Sequence, residues 1–343
     1  MRKLLNTLYV TTEEAYLKLD GENVVVVKDE AEIGRFPLHI LSGIVMFTWA
    51  GASPALMGKC AANGVNLSFC TPWGKYLCHT VGKNNGNVLL RREQYRIADD
   101  AEKSMSYSRN FIFGKVYNSR KVLDRMVRDH GDRVDTDRFR AISQELKSDL
   151  QQIKCAENKD MLLGYEGTSA RRYFSIFGDM ILSESVDFSF VERNRRPPKD
   201  IVNALLSFAY SILTNEVVSA LECVGLDAYV GFMHTDRPGR ASLALDMVEE
   251  LRPCFADRFV CTLINNRILD KKDFNISELG SVTLNEKGRK LFLQKWQERK
   301  KVEIKHPFLG ETVPWGLVLH VQALLLSRVI RGDLDVYPPF CWR

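Results

Sequence analysis

A chain of 343 residues with 45% hydrophobic and 27% charged side chains has the composition of a folded globular protein, which excludes a disordered or fibrous one. Its length suits one large domain or two ordinary ones. The formal charge of +5 permits a polyanionic partner without requiring one.

The first 90 residues read as short strands punctuated by Gly and Pro. In AYLKLDGENVVVV two β-prone runs flank Asp20-Gly21, a hairpin signal. AEIGRFPLHI and ILSGIVMFTW continue the strand pattern. SPALMGKCAANG predicts one short helix, capped by Ser53 and closed by Gly64. VNLSFC and GKYLCHTVG return to strand character. From about Val88 the apolar period changes from two to 3.6, first in NVLLRREQYRIADDAEKSMSYSRNFIFGKVYNSRKVLDRMVRDH and then in DTDRFRAISQELKSDLQQIKCAEN. Nearly everything beyond is helical in pattern, apart from two Pro-containing loops. The expected class is α+β, with a β-rich domain over residues 1–90 and an all-helical domain over 91–343.

The eight cysteines form no C-x-x-C pair and no zinc-finger spacing with histidine, which predicts reduced thiols in a cytoplasmic protein. The N-terminus lacks a long apolar core with a small-residue cleavage site. No uninterrupted apolar run approaches the roughly 20 residues that span a bilayer, so no membrane partner is expected.

HTDRPGRASLALDMVEELRP, residues 234–253, carries the first candidate site. Ala244, Met247, Val248 and Leu251 make an apolar stripe, while Asp246 and Glu249, three apart, share another face. Two carboxylates at that spacing could grip a divalent cation. The commoner origin of such a face is plain solvation, and His234 before the turn more often packs or caps than ligates. In MLLGYEGTSARRYFSIF, Glu166 falls in line with Leu162, Ala170, Tyr173 and Phe177. An unpaired carboxylate there is costly to bury, so one kept in place usually has a cation or a strong partner. The argument holds only if Gly167 does not break the helix. If Glu166, His234, Asp246 and Glu249 converge, the oxygen-rich set with one imidazole suits Mg²⁺ or Mn²⁺. The fitting chemistry is metal-assisted attack of a hydroxyl or water on a phosphodiester. Spacing alone does not establish convergence.

ERNRRPPKD sets Arg193, Arg195, Arg196 and Lys199 around Pro197-Pro198 in a stiff exposed loop. Arg171 and Arg172 follow Glu166, and Lys287 to Lys305 holds eight Lys or Arg. Any one cluster reads as a solvated face. Three of them, two close in sequence to the candidate ligands, favour a polyanionic substrate. Trp296, among Leu291, Phe292 and Leu293, reads as core. No G-x-x-x-x-G-K-[ST] or G-x-G-x-x-G loop is present, which argues against nucleotide hydrolysis and dinucleotide chemistry.

GYEGTSARRYF, RRPPKDIVNALLSFAYSIL and VGLDAYVGFMHTDRPGRASLALDMVEELRP together resemble the CRISPR-associated integrases that insert new spacers into CRISPR arrays, the first-numbered Cas family. The likeness runs from end to end, and the wording is most similar to subtype I-C. It implies that Glu166, His234 and Asp246 bind metal. Glu249 stands where many members carry aspartate, which implies a ligand acting through water or a residue orienting the others. Tyr165, Asn203 and Tyr210 match family-typical positions, and Ala228 stands where proline is common. The resemblance implies a homodimer formed through the β-rich domain, flanking the small second-numbered Cas protein and holding a double-stranded prespacer. The prespacer 3′-hydroxyls would attack the CRISPR leader-repeat, with an associated metal-dependent endonuclease activity. Tyr165, Arg171, Arg172, Arg193, Arg195, Arg196 and Lys199 are the expected DNA contacts. Two other readings use the same residues: a stand-alone nuclease for branched DNA, and a non-catalytic nucleic-acid scaffold with solvated carboxylates.

Overall fold

The computed structural model describes residues 6–72, 76–82, 88–183, 185–195 and 197–343. The N-terminal part is two small sheets. Strands β1 (Asn6–Val10), β5 (Leu41–Met46), β6 (Asn66–Cys70) and β7 (Tyr76–His79) lie in the order β1-β5-β6-β7. The first two pairings are parallel and the last antiparallel. Parallel neighbours need a crossover. Between β1 and β5 it is the antiparallel meander β2 (Tyr16–Asp20), β3 (Asn23–Lys28) and β4 (Ala31–Pro37); between β5 and β6 it is helix α1 (Pro54–Asn63). The β2–β3 turn falls at Gly21, whose φ of +57° is one that glycine adopts without penalty. Helix α1 forms as its sequence predicts: Ser53 Oγ accepts from Leu56 N at 3.3 Å, and Gly64 ends it at φ +66°. Leu17, Val24, Ile44, Leu56 and Leu67 close a small core between the sheets and α1.

The remainder is mostly helical. Asp100 breaks the long helical stretch into α2 (Val88–Asp99) and α3 (Ala101–His130), because its carboxylate accepts from Glu102 N and Lys103 N, both at 3.0 Å. Side chains of Asp135, Asn158 and Asp200 cap α4 (Thr136–Lys154), α5 (Lys159–Ser175) and α6 (Ile201–Cys223) in the same way. Helix α5 runs straight through Gly167. Then come α7 (Ser242–Leu251), a π-helical turn (Arg252–Asp257) and α8 (Arg258–Asn265). The chain ends with α9 (Glu286–Lys301) and α10 (Trp315–Arg331). Two short antiparallel pairs, β8 (Phe274–Ile276) with β9 (Val282–Leu284) and β10 (Glu303–Lys305) with β11 (Thr312–Pro314), interrupt the all-helical pattern. Their three-residue strands are too short to show a period of two. Helix α6 is long and apolar enough to cross a membrane by length and composition, yet 72% of its most apolar window is buried inside the protein. Cys60, Cys70, Cys78, Cys155, Cys254, Cys261 and Cys341 are free thiols.

The two parts are joined by packing and by side-chain contacts, among them the His79–Glu222 pair at 2.5 Å and the carboxylate of Glu216. Val45, Phe47 and Cys70 belong to the large helical core rather than the small one. Glu216 on α6 accepts on the same Oε1 from Tyr9 of β1 (2.8 Å), Trp296 of α9 (3.2 Å) and Lys300 (2.8 Å). Trp296 is fully buried, in line with its core reading.

Candidate active site

Helices α3, α5 and α7 pack against one another or against α3 in common, and the site forms where they meet. The acidic face of α7 is not solvated. Asp246, Glu249 and Glu250 are 0%, 3% and 0% exposed, so the ordinary surface reading of DMVEE is overturned. The sequence of α7 is apolar on one side only, but α3 covers its second side, which no single-helix pattern can reveal.

Asp246 and Glu249 meet different partners. One Asp246 oxygen accepts from Phe232 N (2.7 Å) and Met233 N (2.9 Å); the other accepts from His234 N (3.0 Å) and faces His234 Nδ1 at 2.6 Å. Four donors thus occupy this carboxylate, and it folds the loop preceding α7. Gly231 makes the close approach feasible. A Cβ there would stand 2.8 Å from Ser242 and 3.0 Å from Asp246 Oδ2. The start of α7 is held by Ala228, whose carbonyl accepts from Leu243 N at 3.0 Å. With Nδ1 turned to a carboxylate, His234 presents Nε2 as its free lone pair.

Glu249 lies between two cations. Arg252 Nη1 is 2.6 Å from its Oε1, and Lys115 Nζ of α3 is 2.7 Å from its Oε2. The same Lys115 ammonium hydrogen-bonds Glu166 of α5. Burial pushes Glu249 up, but Arg252, Lys115 and then His234 outweigh it and hold the carboxyl down to about 2. Burial pulls Lys115 down, but Glu249 and Glu166 raise it above an ordinary lysine. Sequence reasoning missed both cations. Arg252 had a signal, since it sits three residues after Glu249. Lys115 had none on a helix carrying many basic residues.

Among the described residues, no three His, Cys, Asp or Glu side chains stand close enough to share one ion. Lys115 is what lies between Glu166 and Glu249. The donor set nevertheless fits a hard divalent cation. Two carboxylates already enclose a cation, the buried Oε2 of Glu249 makes no hydrogen bond despite its nearness to Lys115, and His234 adds a nitrogen.

Beside this centre opens a cavity of about 480 Å³ lined by Lys115, Ser169, Arg171, Arg195, Tyr210 and Arg252, among others. Arg193 also lines it but is turned inward. It hydrogen-bonds Asn203 Oδ1 (2.6 Å) and Ser207 Oγ (3.1 Å) and lies 5.4 Å from the Tyr210 ring. Arg252 covers the same ring at 4.8 Å. Asn203 organises the basic loop, binding Glu192 O and Asp200 as well as Arg193. Tyr210 donates to Asp257 at 2.5 Å. Burial pushes Asp257 up to about 6 against the pull of Tyr210 and Tyr173. Arg172 is drawn away from the cavity by ion pairs with Asp149 and, at 2.7 Å, Glu145. Tyr165 is half-buried against the core. Arg171, Arg195 and Lys199 are exposed. Arg196 lies outside the described residues. Of the basic side chains expected on DNA, Arg172 and Arg193 are thus engaged within the fold, because neighbouring helices supplied acceptors that their local sequence does not announce.

Residues 8–298 match the family model "CRISPR associated protein Cas1". The chain belongs to the Cas1 family. It is 46% identical over 343 residues to CRISPR-associated endonuclease Cas1 1 of Chlorobaculum tepidum, covering all of both chains. It is 47% identical over 347 residues to CRISPR-associated endonuclease Cas1 2 of Rhodospirillum rubrum, again with full coverage of both. Among solved structures, a casposase bound to integration product shares the fold at a TM-score of 0.84, with 22% identity, covering 98% of this chain and 94% of that one. A Cas6-RT-Cas1–Cas2 complex does so at 0.82, with 20% identity, covering 100% of this chain and 36% of that one. The Cas1 fold seen here accordingly has its strand-rich part first and its mostly helical part after.

Proposed function

We propose that this Cas1-family protein is the integrase of CRISPR adaptation, a metal-dependent enzyme that joins prespacer 3′-hydroxyls to phosphodiesters of the CRISPR repeat and also cuts DNA. The observation that carries this reading is the buried ammonium of Lys115 held between Glu166 and Glu249, in electrostatic reach of His234. A buried Glu249 facing a half-buried Glu166 is a pair kept for a cation. The endonuclease names of the relatives and the integration product of the casposase support the same chemistry.

Glu166, Glu249 and Nε2 of His234 would hold Mg²⁺ or Mn²⁺. Bound there, the ion supplies Lewis-acid activation of a hydroxyl and neutralises charge on the attacked phosphate. Asp246, placed among the ligands by sequence resemblance, is assigned instead to hold the His234 ring and its loop, since four donors already fill it. Glu249 takes the direct role. Arg252 anchors Glu249, and Lys115 keeps the two carboxylates neutralised. Arg171, Arg195, Arg196 and Lys199 are assigned to DNA phosphates. The partners are double-stranded DNA, a second copy joined through the β-rich part, and the small second-numbered Cas protein. The exposed Trp49 and Ile33 of the β-rich part and the presence of a Cas1–Cas2 complex among the structural neighbours support those contacts.

The test is a strand-transfer assay with a labelled duplex bearing free 3′-hydroxyls, a supercoiled plasmid carrying leader and repeat, the second-numbered Cas protein, and Mn²⁺ or Mg²⁺. Label joined by the native protein but by neither Glu166→Gln nor His234→Ala supports the integrase and its centre. Cutting without joining moves the assignment to a branched-DNA nuclease. Binding with neither product leaves a scaffold.

A further inference from the structure

Ten residues along α3 from Lys115, about 15 Å at the helical rise, Arg125 enters a second cationic cluster. Its guanidinium lies 5.2 Å from the centroid of the Trp342 ring, and that of Arg258 lies 4.3 Å from the same centroid. Arg299 of α9 lies over Trp315 at 5.6 Å. Arg125 is paired with Asp129 at 2.9 Å, but Arg128 shares that carboxylate at 2.8 Å. Neither Arg258 nor Arg299 has a carboxylate partner among the described residues, and Nε of Arg299 is buried without a hydrogen-bond partner.

Burial of unpaired guanidiniums is unfavourable, and these cations also repel one another. Burial lowers Arg258 to about 10, with Arg299 and Arg125 adding to it, and burial lowers Arg299 as well. Aromatic faces offset part of that penalty. Anchoring the C-terminal segment does not account for the cluster, because that segment is already held. Trp342 N donates to Asn118 at 2.8 Å, Phe340 N donates to Glu250 at 2.5 Å, and Tyr337 donates to Glu250. An arginine fork fixed against an indole face is a rigid, donor-rich receptor for an anion.

We propose that Arg125, Arg258 and Arg299 form a phosphate-binding site for the backbone of the duplex attacked at the Glu166–Glu249 centre. The site rests on the DNA reading above and extends its footprint away from the Pro197-Pro198 loop.

Two measurements on the full chain test it. In fluorescence-anisotropy titrations of a labelled duplex without metal, the Arg258→Gln/Arg299→Gln double variant should flatten the slope of log affinity against log salt by about 2, the loss of two phosphate contacts. On the native protein, saturating duplex should slow phenylglyoxal modification of Arg258 and Arg299, read by mass spectrometry, while Arg138 on α4 keeps its rate. A folded double variant with the native slope, or equal reactivity of both arginines with and without bound duplex, overturns the site. If the variant does not fold, the protection experiment decides alone. A native protein that binds and joins duplex with both arginines still reactive sinks this site only. One that binds no duplex sinks the DNA reading and the site with it.

Discussion

Glu250 offers the sharpest quantitative test of the structure. It adjoins Glu249 on α7 but faces the other way, fully buried, accepting from Tyr337, Phe340 N and Gln322. Burial pushes its carboxyl up to about 7, although those three donors pull it down. Unfolded, the same group titrates near 4.5. Between those two values the folded protein keeps a proton that the unfolded chain releases, so stability falls as pH rises through the window and levels off above it. At about 1.4 kcal/mol per unit over some 2.5 units, the full loss is about 3.5 kcal/mol. Glu250→Gln keeps the shape and removes the titration. Urea unfolding of both proteins at pH 5, 6, 7 and 8 should give a difference that grows in favour of the variant by about 2.5 kcal/mol, most of it below pH 7, and then nearly stops changing. Asp257, also raised by burial, titrates alike in both and cancels. A difference independent of pH would refute the claim that Glu250 is buried as an acid.

Three further outcomes follow from the site. Lys115→Met leaves Glu166 and Glu249 without their shared cation and should lower stability by about 3 kcal/mol, the low end for a broken buried pair because Arg252 remains. Mn²⁺ should then raise Tm more in the variant than in the native protein, and an equal shift would count against cation exchange at this position. Asp246→Asn should lower metal affinity or strand transfer about 10- to 100-fold through the His234 ring, measured by Mn²⁺ calorimetry; native affinity would separate Asp246 from the ring's function. Gly231→Ala drives a Cβ to 2.8 Å from Ser242 and should destabilise by about 1–3 kcal/mol in urea, unless the loop yields, which an unchanged midpoint would reveal.

What was legible in the sequence was local. The Ser53 and Gly64 caps, the Asp20-Gly21 turn and the change of period near Val88 depend on neighbours within a few residues, and they stand where expected. The site was only half legible. The resemblance picked out Glu166, His234, Asp246 and Glu249; Lys115 joins Glu166 to Glu249 and Asp246 faces His234, while no three of the four stand close enough to share one ion. Their division of labour was not readable, because it depends on backbone donors at 232–234 for Asp246 and on Lys115, 134 residues before Glu249, for the other carboxylate. The partners that Arg172 and Arg193 take within the fold were not readable for a related reason. A guanidinium in an exposed-looking motif gives no sign of the Asp149 or Asn203 that will claim it.

The carboxylate of Glu216, where Tyr9, Trp296 and Lys300 converge, sets a mechanical tolerance on the whole molecule. Asn203, which orders the basic loop, lies thirteen residues up the same helix, about 20 Å away. A tilt of α6 by about 10° around Glu216 would carry that loop about 3.4 Å, one full nucleotide step. Seating strands and helices on one shared oxygen opposes that tilt, and so limits how far the loop can shift.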